Sequence, residues 1–232
     1  MKLRALISTV LVGVLLGVSS TASAPLLDKA EHAGRRARVM AEIGSGVAIF
    51  LGASTPSSDV TFRQGHDFYY MTGIEMPDAM LIVDGTRKES TLFFTMDENT
   101  ADGDGIPLDL IRTPVQYTGI ERVLPAEQLS SQLAGFVNRG QTLYTMFKPE
   151  EIGPENSREK FNALQKSMTM EMWDGRLTRE LQFVKQLRER FPQAEVRDSS
   201  PIVWNMRKYK STAELDIMRR VARNPDCTVT SS

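Results

Sequence analysis

Three short apolar runs constrain this chain more than any other feature: Val47-Ala48-Ile49-Phe50-Leu51, Ala79-Met80-Leu81-Ile82-Val83 and Thr91-Leu92-Phe93-Phe94-Thr95. The first, continuous and closed by Gly52, reads as a strand buried on both faces. The second and third flank the polar turn Asp84-Gly85-Thr86-Arg87-Lys88 and form a hairpin, so the sheet contains an antiparallel pair. A sheet buried on both faces needs a helical layer on each side. The spacing supplies helices over Leu26–Ile43, carried by Leu27, Ala30, Ala33, Ala37, Met40 and Ala41, then over Pro125–Val137, Glu155–Met170 and Leu177–Arg190. Aromatic-rich Phe68–Thr72, closed by Gly73, reads as a further strand, as does Thr142–Phe147, while Asp97–Thr118 reads as loop. The expected fold class is α/β: a mixed central sheet flanked by helices.

At 232 residues the chain holds one domain, or one domain and part of a second. A formal charge of −1 gives no electrostatic basis for nucleic-acid binding. One cysteine, Cys227, makes no internal disulfide, and two histidines, His32 and His66, leave little for an imidazole metal centre. Lys2 and Arg4, an apolar run from Ala5 to Val18, and the small residues Ser19–Ala24 have the layout of a secretory leader. That run is too short for a bilayer that needs roughly 20 residues. The expected mature protein is therefore exported, periplasmic or secreted, with no membrane association once residues 1–24 are removed.

The end of the sequence carries a capping box, Ser211-Thr212-Ala213-Glu214, which starts a helix at Thr212. Its apolar residues Leu215, Met218, Val221 and Ala222 form one stripe, and Asn224-Pro225 closes it. Residues 226–232 are polar and unpatterned.

No residue cluster announces catalysis. Asp97, Glu98, Asp102 and Asp104 lack calcium-loop spacing and read as a solvated loop. His66 has no neighbouring nucleophile, and Cys227 has no nearby histidine. Arg35-Arg36-Ala37-Arg38 reads as a solvated helix face. There is no phosphate loop, HExxH pair or GxSxG elbow.

The segment Ser58-Asp59-Val60-Thr61-Phe62-Arg63-Gln64-Gly65-His66-Asp67-Phe68-Tyr69-Tyr70-Met71-Thr72-Gly73-Ile74, followed by Pro77-Asp78-Ala79, resembles the signature of the aminopeptidase P N-terminal domain. Arg207-Lys208-Tyr209-Lys210-Ser211-Thr212-Ala213-Glu214 is similar to the R-x-x-K-S/T-x-x-E element that opens the pita-bread catalytic domain in the same family of Xaa-Pro aminopeptidases, prolidases and creatinases. The resemblance covers about Leu27–Arg223.

The resemblance implies a creatinase-type, ribonuclease H-like N-terminal domain at 25–203, then a linker and the first helix of a catalytic domain at 204–223. In the family peptidases that catalytic domain binds two manganese ions through two Asp, one His and two Glu, and the metals activate a hydroxide. No position here matches a metal-ligand motif, so the resemblance carries over no catalytic residue and no metal ligand. Two substrate-proximal positions are carried over. Asp59 matches a family Asp near the mouth of the substrate site, although it also suits a turn cap after Pro56-Ser57-Ser58. Arg63 matches the arginine of the family's R-Q pair, although it also suits an ion pair with Asp67. The loop from Asp97 to Tyr117 lacks the Trp that many relatives place there. The implied function is a substrate-access and oligomerisation domain of a manganese peptidase that removes a residue preceding proline, inactive without the catalytic half. The implied partners are a second copy, or a full-length homologue docked on the Leu215/Met218/Val221/Ala222 stripe. An independent hydrolase is the remaining alternative.

Overall fold

The computed structural model describes residues 27–55, 62–148 and 177–223. The expected leader, the 155–170 helix, Asp59 and Cys227 lie outside these residues. Among the described residues six strands form one mixed sheet in the order β4-β3-β2-β1-β5-β6. They are β1 (Val47–Leu51), β2 (Met80–Asp84), β3 (Glu89–Phe93), β4 (Arg122–Leu124), β5 (Leu143–Thr145) and β6 (Val196–Asp198). β1 pairs antiparallel with β2, and β2 with β3, while β3–β4, β1–β5 and β5–β6 are parallel. The antiparallel run β1-β2-β3 thus sits at the sheet's centre, with β4 added in parallel beyond β3 and β5 and β6 in parallel beyond β1.

Period-two alternation divides the central strands between two cores. Ala48 and Phe50 of β1, Leu81 and Val83 of β2 and Leu92 of β3 face one apolar layer. Val47, Ile49, Ile82 and Phe93 face the other. The first layer is covered by α1 (Lys29–Ile43), α2 (His66–Thr72), the short helices α3 (Glu98–Gly103), α4 (Leu108–Arg112) and α5 (Pro114–Thr118), and later α8 (Ser200–Lys208). The second is covered by α6 (Leu129–Asn138) and α7 (Arg179–Arg190), through Leu133, Phe136, Val137 and Leu187. The last described helix, α9 (Thr212–Arg223), buries no residue.

Three expectations are corrected. Phe68–Thr72 is part of helix α2, not a strand: Gly73 at φ 69° closes it with its N–H on the Tyr69 carbonyl, and Phe68 and Met71 bury one face at i, i+3. This local stop signal outweighs the aromatic β-preference. Asp97–Thr118 is three short helices rather than loop, because Asp97 caps α3 by accepting from the Asn99 and Thr100 N–H groups, and Pro114 opens α5. Arg35 and Arg36 are not a solvated face; each is 1% exposed. The buried stripe of α1 is His32, Arg35, Arg36, Val39, Met40 and Ile43, a helical repeat whose first half is polar.

Candidate functional site

The polar half of the α1 stripe meets the C-terminus of α2. Helix ends leave carbonyls without intrahelical donors and carry partial negative charge, so buried cations are favoured there. His32 Nδ1 donates to the Tyr70 carbonyl at 3.1 Å, and Arg35 Nη1 donates to the same oxygen at 3.1 Å. Arg36 Nη1 donates to the Met71 carbonyl at 3.0 Å, and its Nη2 to the Gly119 carbonyl, just past α5, at 3.1 Å. One guanidinium thereby ties the ends of two helices.

Arg35 is surrounded on every side. Its Nε and Nη2 donate to Glu31 Oε1 at 3.3 and 3.1 Å, its Nη2 lies 3.2 Å from Glu214 Oε1, and its Cζ stands 3.9 Å above the Tyr70 ring. A buried charge is tolerated only when such partners offset the lost hydration. The opposite end of α2 is held as well: Asp67, in its first turn, accepts from Arg207 Nη1 of α8 at 2.6 Å.

Burial dominates the electrostatics. It pushes the His32 pKa below its ordinary value, with Arg35 and Arg36 adding to the effect and the Tyr70 hydrogen bond opposing it. The ring is therefore neutral at pH 7, with Nδ1 as the donor that the carbonyl requires. Burial lowers Arg36, against the pull of Glu121, and raises Asp67, against the charge and hydrogen bond of Arg207.

The junction ends at α9. Ser211 and Glu214 form the expected capping box, with the Glu214 N–H donating to Ser211 Oγ at 3.2 Å and the Ser211 N–H to Glu214 Oε2 at 2.8 Å. Leu215, Met218 and Val221 are 37%, 55% and 56% exposed, so the stripe read from the sequence is open to solvent.

The other candidates separate. Arg63 and His66 are exposed, just before and at the start of α2. The expected Arg63–Asp67 pair does not form; Asp67 pairs with Arg207, which the fold brings across 140 residues of sequence. Asp97 and Glu98 serve local structure, as the α3 cap and as the 2.6 Å partner of Arg112. Among the described residues no group of three or more His, Cys, Asp or Glu side chains could hold a metal ion. The carboxylates and imidazoles of the described residues do not converge on a manganese-type donor set. Among the same residues no helix is long and apolar enough to cross a membrane.

Fold and junction together define a three-layer α/β domain whose last described helix is pinned to its first. The chain matches the Aminopeptidase P, N-terminal domain family over residues 32–163, and it belongs to that family. It is 23% identical to the Xaa-Pro aminopeptidase of Escherichia coli over 203 residues, 84% of this chain and 42% of that protein. It is 29% identical over 111 residues to a protein of Aspergillus clavatus described as a probable Xaa-Pro aminopeptidase, covering 47% of this chain and 24% of that one. The chain thus spans less than half the length of these relatives. The same fold occurs in aminopeptidase PepP of Pseudomonas aeruginosa, with TM-score 0.59 and 21% identity over 84% of this chain and 42% of that one, and in aminopeptidase P of E. coli, with TM-score 0.55 and 22% identity over the same shares.

Proposed function

We propose that this chain is the N-terminal, substrate-access and oligomerisation domain of an exported Xaa-Pro aminopeptidase-like manganese peptidase, which removes a residue preceding proline. The family match over residues 32–163 carries the reading. Divalent metals would lower the pKa of a bound water and stabilise the tetrahedral oxyanion, but from side chains supplied elsewhere. This chain would contribute the rigid wall that shapes access, with Asp59 and Arg63 as its substrate-proximal positions. Purified protein loaded with manganese should show no turnover of an Xaa-Pro peptide and no stoichiometric metal. Proline-adjacent cleavage that survives repurification would overturn the reading.

A second reading, a non-catalytic module docked on a full-length homologue, is favoured by the exposure of Leu215, Met218 and Val221. It predicts that changing Leu215 and Met218 to Glu abolishes co-purification with that homologue; unchanged capture would remove it.

A further inference from the structure

Glu214 does two things with one carboxylate. Oε2 accepts from the Ser211 N–H, which closes the first turn of α9. Oε1 meets Arg35 Nη2, the same nitrogen that Glu31 engages on α1. The first contact requires helical geometry at 211–214, and that geometry presents Oε1 to Arg35. No residue of α9 is fully buried, and Glu214 and Ile217 are its half-buried ones, so the Glu214–Arg35 ion pair is a principal tie of this helix to the domain. Just before it, Lys210 Nζ donates to the Arg207 carbonyl within the connection, and the Arg207 guanidinium holds Asp67; with Glu214 on Arg35, the segment between α8 and α9 is tied to α2 at one end and to α1 at the other.

We infer that Glu214 is an electrostatic latch: a single carboxylate couples formation of the first turn of α9 to its docking on Arg35, and so sets the direction in which the chain leaves the domain. The latch is made by Glu31, Arg35, Ser211 and Glu214 and is independent of peptidase activity. Because Arg35 is buried and Glu214 only partly exposed, salt weakens the contact less than it would a surface pair. The latch makes α9 a two-state element, either turned and docked or released.

The test uses the full chain with Cys227→Ser and spin labels at exposed Glu42 of α1 and Arg219 of α9. Glu214→Gln retains an acceptor for the capping box but removes the charge that Arg35 binds. Ser211→Ala removes the hydroxyl cap and leaves the carboxylate in place. Coupling predicts the same response in both variants. The Glu42–Arg219 distance distribution broadens, and amide protection over residues 215–218 falls roughly three- to tenfold, the loss expected for one charge-assisted hydrogen bond at a partly exposed site. Protection at Ile49 and Leu81 stays unchanged. An unchanged distance distribution in Glu214→Gln overturns the latch. So does lost protection without broadening in Ser211→Ala, since turn and docking would then be independent. Equal loss of protection at Ile49 and Leu81 also overturns it, because the effect would be general destabilisation.

Discussion

The central sheet and the α1–α2–α9 junction are built on opposite principles. The sheet is held by area: Ile49, Phe50, Leu81, Ile82 and Phe93 are almost fully buried, and alternate residues feed the two apolar layers. The junction is held by direction: three polar side chains of α1 satisfy named carbonyls, and each bond has one geometry. Area-based stability is forgiving, because apolar neighbours repack around a change of shape. Direction-based stability is not, because a removed donor leaves its acceptor buried and unsatisfied.

Four measurements put this contrast at risk. The largest effect belongs to the sheet: Phe50→Ala should lower stability by about 3–5 kcal/mol in urea unfolding, and the conservative Ile49→Val by only about 1 kcal/mol. Arg36→Met comes next. It keeps much of the volume yet strands the Met71 and Gly119 carbonyls, for a loss of about 2–3 kcal/mol. If Arg36→Met cost no more than Ile49→Val, the distinction would fail. Gly73→Ala should cost about 1–3 kcal/mol, because Gly73 sits at φ 69° and an added Cβ would lie 2.5 Å from His32 Nε2.

The smallest effect is on pH dependence. His32 has a lowered pKa when folded, so between that value and the ordinary 6.5 the unfolded chain binds more protons. Stability should therefore fall as pH drops through 6.5, and His32→Gln should flatten that slope in denaturation at pH 7.5 and 5.5. Asp67 acts with the opposite sign at lower pH. Its pKa is raised above 3.8 in the fold, so the native state holds its proton more tightly and gains stability as pH falls through that window.

The same contrast explains what was legible in the sequence. Val47–Leu51 and the 80–93 hairpin announce themselves, since uninterrupted apolar runs have few other resting places. The capping box at Ser211–Glu214 is equally plain, because it is a local rule fulfilled within four residues. The α1 stripe is not plain. Reading apolar residues alone selects Ala30 and Ala37, both exposed, and passes over His32, Arg35 and Arg36, which are buried. The 3.6-residue period was present in full, but half of it was written in basic side chains whose partners lie at 70, 71, 119 and 214. Sequence spacing cannot reveal a partner so distant. The strands β4 and β6, three residues each, are too short to show a period of their own and pair in parallel with β3 and β5.

The two-helix tie made by Arg36 has a consequence for biosynthesis. Its second acceptor lies 83 residues downstream, so on a ribosome adding about 5–20 residues per second the guanidinium waits on the order of ten seconds for Gly119 to emerge. The Met71 carbonyl, 35 residues downstream of Arg36, is made first, so through much of that interval the guanidinium can hold one helix end while its second hand stays open, and vectorial synthesis leaves the tie's completion to the arrival of later chain.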